Sequence, residues 1–179
     1  MGKPEVPLEG AQEQISDHAR ESSETWIMGV ALTAAVLAVL AAVTALLAEH
    51  HADEAMLLQI RASDMWGYYQ AKATQLEILE AKRALLEALG KTPDPETQRK
   101  QAHHKDKQAD LKAEAEKLQE ESKHHLEAHG PLSRGVTMFQ VAIAVGAISV
   151  LTRRKGFWYL AFGFGLAGVA FLVRGIAMP

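Results

Sequence analysis

The stretch Trp26-Ile-Met-Gly-Val-Ala-Leu-Thr-Ala-Ala-Val-Leu-Ala-Val-Leu-Ala-Ala-Val-Thr-Ala-Leu-Leu-Ala48 contains no charge, proline or cysteine. A helix of this length, rising about 1.5 Å per residue, covers the roughly 30 Å hydrocarbon core of a bilayer. Residues 1–25 before it form a polar, acidic tail, with Glu5, Glu9, Glu13, Asp17, Glu21 and Glu24 against Lys3 and Arg20. A cleaved secretory signal needs a basic start and a shorter apolar core. The run therefore reads as a retained membrane span over 26–48.

Two further apolar stretches follow near the C-terminus. Val136–Leu151 is apolar apart from Thr137, Gln140 and Ser149, and Phe157–Val173 is uncharged. Three cations, Arg153, Arg154 and Lys155, separate them. Charge is costly inside hydrocarbon, so this break must reach water or headgroups. A tight pair of spans over 136–152 and 157–174 fits best; one span plus a re-entrant segment is the alternative. Trp26, Trp158 and Tyr159 join the three cations as expected interface anchors.

Between the spans the chain is rich in Ala, Leu, Glu, Gln and Lys, all good helix formers. No proline lies between Pro7 and Pro93, so nothing stops the first span at the membrane surface. The pattern predicts one rod from about Thr25 to Leu89, on the order of 95 Å long. Steps of four and three mark a seam through Leu58, Ala62, Met65, Tyr69, Lys72, Leu76, Leu79, Arg83 and Leu86. A second row adds Leu57, Ile60, Tyr68, Ala71, Ile78, Leu85 and Leu89, a stripe broad enough to want partners on more than one side. Gly90 suits a left-handed C-terminal position, Asp94 an N-cap and Pro95 the first position of the next helix. A more polar arm then runs from Glu96 to His129, where His129-Gly130-Pro131 is expected to end it. Folding back near 90–95 pairs positions summing to about 185, which sets Gly67 opposite Leu118 and the aromatics Trp66, Tyr68 and Tyr69 beside it. The expected fold is thus all-α: three transmembrane helices, with an extramembrane antiparallel helical hairpin over 49–130 continuous with the first span.

Few residues invite chemistry. The chain has no cysteine, which excludes disulfides, thiolate nucleophiles and Cys-based metal sites. Histidines cluster at 50–51, 103–104 and 124–129; His125 and His129 share a helix face, and folding back brings His129 towards His50 and His51. Imidazoles beside carboxylates suit a divalent metal, which makes His50, His51, His125 and His129 weak metal candidates, although no recognised ligand spacing is present. Gly163-Phe-Gly165-Leu-Ala-Gly168 matches a dinucleotide pattern in letters but lacks the strand and the βαβ context. Small residues spaced this way instead permit close helix contact, as do Ala31, Ala35, Ala38, Ala42 and Ala45 in the first span. Gln140, the most polar residue inside a span, reads as an interhelical hydrogen bond or a permeation contact. No Ser-His-Asp arrangement, phosphate loop or basic nucleic-acid face is present, so neither an enzyme, a cofactor nor a nucleic-acid partner is expected.

The exit from the first span, Ala48-Glu-His-His-Ala-Asp-Glu-Ala-Met-Leu-Leu-Gln-Ile-Arg-Ala-Ser-Asp-Met-Trp-Gly-Tyr-Tyr-Gln-Ala-Lys72, resembles a bacterial membrane-protein family filed as domain of unknown function number 4337, as does Leu151-Thr-Arg-Arg-Lys-Gly-Phe-Trp-Tyr159. The resemblance covers most of the chain after the tail. It implies a bacterial membrane protein with this layout, and it brings no activity and no catalytic residues.

Short basic loops stay cytoplasmic, so Arg153–Lys155 and the N-terminal tail are expected on the cytoplasmic face of a bacterial inner membrane, with the hairpin in the periplasm. The leading functional reading is a self-assembling scaffold or adaptor whose hairpin meets partner proteins. Its packing residues would be Ala31, Ala35, Ala38, Ala42, Leu58, Met65, Tyr69, Leu76, Leu79, Leu86, Gly163, Gly165 and Gly168. An oligomeric channel or transport component, and a metal or pH sensor at the membrane-proximal histidines, are the alternatives.

Overall fold

A computed structural model describes Gly10, Glu13, Ile15 and residues 25–92 and 95–178. Among these there is no strand. Three helices follow in order: α1, Thr25–Ala88; α2, Pro95–Thr152; and α3, Lys155–Ile176. Each holds a stretch long and apolar enough to cross a membrane. The uninterrupted α1 agrees with the rod expected from the lack of any breaker. Pro95 opens α2 as expected, whereas Asp94 lies outside the described residues.

The sequence placed a stop at His129-Gly130-Pro131, and the structure corrects it: α2 continues through Pro131 to Thr152. A proline inside a helix removes one backbone donor and crowds the preceding turn. Here tertiary contacts on both sides outweigh that cost. His129 Nδ1 bonds the Ala48 carbonyl at 2.9 Å, and Leu132 is fully buried.

Two chain reversals share one device. Gly90 has φ +70°, its N–H bonds the Glu87 carbonyl, and the Lys91 N–H reaches back to Leu86. This paired bonding closes a helix C-terminus around a left-handed residue. The second reversal repeats it with a residue ill suited to the role. Arg153 takes φ +53°, bonding Val150, while Arg154 bonds Ser149. Only Arg153 and Arg154 separate α2 from α3, a tighter break than the four residues expected.

The chain divides into two compact units, Met1–Ala52 with Leu126–Pro179, and Asp53–His125. In the first, Ile27, Val30, Ala34 and Val150 form one buried cluster with Ile15. Ile15 lies in the segment read as a polar tail, where it is the one large aliphatic residue between Leu8 and Trp26. Leu37, Ala41, Phe139, Ala142 and Ile143 form a second cluster. Glycine sets how near the helices come. A Cβ on Gly168 would lie 2.7 Å from the Phe139 ring, one on Gly175 would lie 2.6 Å from the Leu132 side chain, and one on Gly135 would meet the Gly168 carbonyl and Thr44 at 3.3 and 3.4 Å.

In the second unit Ser122 Oγ donates to the Ala55 carbonyl at 2.8 Å. Ala55, Leu58 and Ala62 on α1 and Ala115 and Ser122 on α2 are buried. Ser122 and Ala55 are positions summing to 177, not about 185. The displaced register follows the small residues: Ala55 and Ala62 let the polar arm approach, and Gly67 does not, since nothing lies within 4 Å of a Cβ placed there.

Candidate functional site

Buried positions on α1 recur every seven residues: Ile27, Ala34, Ala41, Ala48, Ala55 and Ala62 in one row, and Val30, Leu37, Thr44 and Leu58 in the other, with half-buried His51 filling the step between the last two. Such spacing keeps one stripe facing its partners along the helix. In the Asp53–His125 unit the expected seam lies on this stripe. Leu58 is buried, and Met65, Tyr69, Leu76, Leu79 and Leu86 are half-buried, whereas Arg83 faces water and pairs with Glu87 at 3.2 Å.

The second expected row lies outside the seam. Leu57, Ile60, Tyr68, Ala71, Ile78, Leu85 and Leu89 are all exposed, Tyr68 at 60%, Ile78 at 62% and Leu85 at 63%. Single exposed apolar residues are ordinary, whereas these recur at helical spacing as one row. Trp66 packs edge-on against Tyr69 with ring centroids 5.4 Å apart.

One polar layer interrupts the seam. Lys72 is half-buried and donates to Gln75 at 3.2 Å. His104 Nδ1 and Gln101 Nε2 are buried atoms with no hydrogen-bond partner among the described residues. Burial first, then the charges of Lys72, His103 and Lys100, holds the His104 imidazole below its ordinary range. Sequence reading grouped His104 with the other histidines and missed this environment; its seven-residue spacing to Leu111 and Leu118 was the available signal.

Of the metal candidates, His129 spends its Nδ1 on Ala48. Rings of His50 and His51 lie 5.8 Å apart and tilted. Among the described residues no three histidines or carboxylates come together in a metal-holding group.

The expected packing residues of the spans divide by face. Ala31 and Ala38 are half-buried within the chain, and Ala35 and Ala42 are exposed. Gly165 and Gly168 lie against the chain's own Leu37 and Phe139, while a Cβ on Gly163 would meet open space. Gln140 is half-buried.

At the α2–α3 turn the aromatic and cationic anchors converge. Lys155 Nζ lies 5.8 Å from the centre of the Trp26 ring. Trp158 Nε1 donates to Thr33 Oγ1 at 3.3 Å, and its ring covers Gly29. Tyr159 stands exposed beside it, ring centroids 5.8 Å apart. Ser149 Oγ donates to the Arg154 carbonyl at 3.1 Å and ties the turn to α2. Arg153, Arg154 and Lys155 are exposed, and among the described residues none of them forms an ion pair.

An all-α chain with three helices of membrane-crossing length falls in the class of candidate helical membrane proteins. More narrowly, the chain belongs to the family described as "Domain of unknown function (DUF4337)", whose profile matches residues 26–178. No curated protein and no solved structure matches the chain.

Proposed function

We propose that the chain is a non-catalytic integral membrane protein that assembles with copies of itself into a scaffold. Residues 26–48, 136–152 and 157–174 cross the bilayer. Residues 49–130 fold back in water as an antiparallel helical hairpin that meets partner proteins. The basic turn at Arg153–Lys155 and the N-terminal tail lie on the cytoplasmic side of a bacterial inner membrane, by the tendency of short Lys/Arg-rich loops to stay inside.

The observation that carries the self-assembly reading is the unused apolar row on α1. The seam beside it is already covered by α2, yet Tyr68, Ile78, Leu85 and Leu89 remain exposed at helical spacing. A second helix laid along that row would remove it from water at about 25 cal/mol per Å² of apolar area. Exposed Ala35 and Ala42 add a small-residue face within the first span.

Native mass spectrometry of the full chain in nanodiscs tests this reading. A single closed stoichiometry above one is the expected result. Ile78→Glu with Leu85→Glu, both exposed in one chain, should shift that species to monomer without loss of helicity. A monomeric parent protein overturns the reading.

A further inference from the structure

We propose that the seam between α1 and α3 is a binding site for one anionic phospholipid, with its phosphate at the Arg153–Lys155 turn and an acyl chain in the apolar groove below. The site rests on the membrane-spanning reading above. Two separate observations meet there.

The first is the groove itself. Thr33, Val36, Leu37 and Leu40 of α1 and Phe162, Gly165, Leu166 and Val169 of α3 line an open cleft of about 170 Å³. No polar atom is exposed along its wall. Thr33 turns its hydroxyl back to the Gly29 carbonyl and accepts from Trp158, so its polar atom is already occupied. Gly165 lets α3 close on α1 beside the cleft, since a Cβ there would lie 2.9 Å from Leu37. The shape and chemistry suit a hydrocarbon chain.

The second is what stands at the head of the groove. Lys155, Phe162 and Val169 are seven apart on α3, as Trp26, Thr33 and Leu40 are on α1. Residues seven apart share a helix face. The Lys155 ammonium over the Trp26 ring therefore sits directly in line with the two walls. Between head and cleft, Trp158 bridges the helices through Thr33, at the level where an indole suits the glycerol region.

Charge selects the headgroup. Three cations fill three consecutive positions, and residues 128–179 contain no Asp or Glu. The first turn of α3 adds its positive dipole end, since Arg154 caps the helix with no side-chain bond. Near a membrane surface each such cation attracts anionic lipid by about a factor of five. A zwitterionic headgroup would gain little.

The test uses the full chain carrying Trp66→Phe, so that Trp26 and Trp158, both beside the site, report alone. It is reconstituted in phosphatidylcholine vesicles containing phosphatidylglycerol brominated near the glycerol, or phosphatidylcholine brominated likewise. Tryptophan quenching should reach half its maximum at about fivefold lower mole fraction of the anionic lipid, or less. Arg154→Gln with Lys155→Gln should abolish that preference, and Val36→Phe, which fills the groove, should weaken quenching by both lipids. Equal quenching by the two lipids, or a preference untouched by the double variant, overturns the site. Loss of the preference on adding inorganic phosphate, beyond that caused by chloride at equal ionic strength, also overturns it and assigns the turn to free phosphate. An alkaline wash of native membranes separates the two readings. A chain that washes off overturns the spanning reading itself, and a chain retained but quenched equally overturns the lipid site alone.

Discussion

At the scale of single residues, glycines decide which helices touch. Phe139 is fully buried, and its ring lies where a Gly168 side chain would have to go. Gly168→Ala should lower stability by about 1–3 kcal/mol, the usual cost of overpacking a filled site. Gly163→Ala, only five residues earlier but opening on empty space, should change it by less than about 0.5 kcal/mol. Thermal unfolding of the two variants in the same detergent reads the difference directly. His104 gives a second residue-level expectation, in pH. Its imidazole is held below the ordinary value near 6.5 by burial, Lys72, His103 and Lys100. The unfolded chain therefore takes up the proton first, and folded-state stability falls as pH drops through about 6.5, levelling off below the folded-state pKa. Circular dichroism melts at neutral and mildly acidic pH should show this loss, and His104→Gln should remove its part of it. A variant with the parent's full acid dependence would place the effect on other groups.

At the scale of elements, capping and spacing explain both what was legible in the sequence and what was not. The lack of breakers gave the length of α1, and Gly90 announced its left-handed end. The seam through Leu58, Met65, Tyr69, Leu76 and Leu79 was readable because apolar residues alternate there with charge. Within the first span every position except Thr33 and Thr44 is apolar, so composition gave little contrast by which to choose a face. The structure buries Ala34, Ala41 and Ala48 and leaves Ala35 and Ala42 exposed, a choice made by partners distant in sequence. Pro131 misled for a related reason: a local breaker signal competes with burial of Leu132 and the His129–Ala48 bond, neither of which is local. The register of the second unit was off because the turn was treated as a symmetric midpoint, whereas Ala55 and Ser122 fix it. Removing that contact by Ser122→Ala should cost about 1 kcal/mol in thermal unfolding. Arg153 marks the opposite case, a backbone role held by a residue with a Cβ. Arg153→Gly should raise thermal stability by about 1 kcal/mol by relieving the left-handed conformation.

At the scale of the whole molecule, two apolar surfaces have different fates. One stripe of α1 is consumed by packing within the chain, and the row beside it is not. Substitutions on the two should therefore separate cleanly. Ala62→Glu, at a fully buried position, should unfold the second unit, whereas Ile78→Glu should leave its helicity intact and alter only association. Circular dichroism beside native mass spectrometry distinguishes the outcomes. Function was far less legible than fold, since an exposed apolar row on a helix declares no chemistry of its own.

The turn at Arg153 and Arg154 also bears on biogenesis. Two residues leave no slack between α2 and α3, and the Ser149 hydroxyl fastens the turn to the helix before it. On the membrane-spanning reading, the last two apolar stretches cannot leave the translocon one after the other. On that reading they must enter the lipid together as a pair, and the cytoplasmic placement proposed for the cations would hold the loop on the side where the ribosome works. Lengthening this loop with neutral residues would uncouple the two insertions and leave the orientation of α3 to its own weak flanking charge.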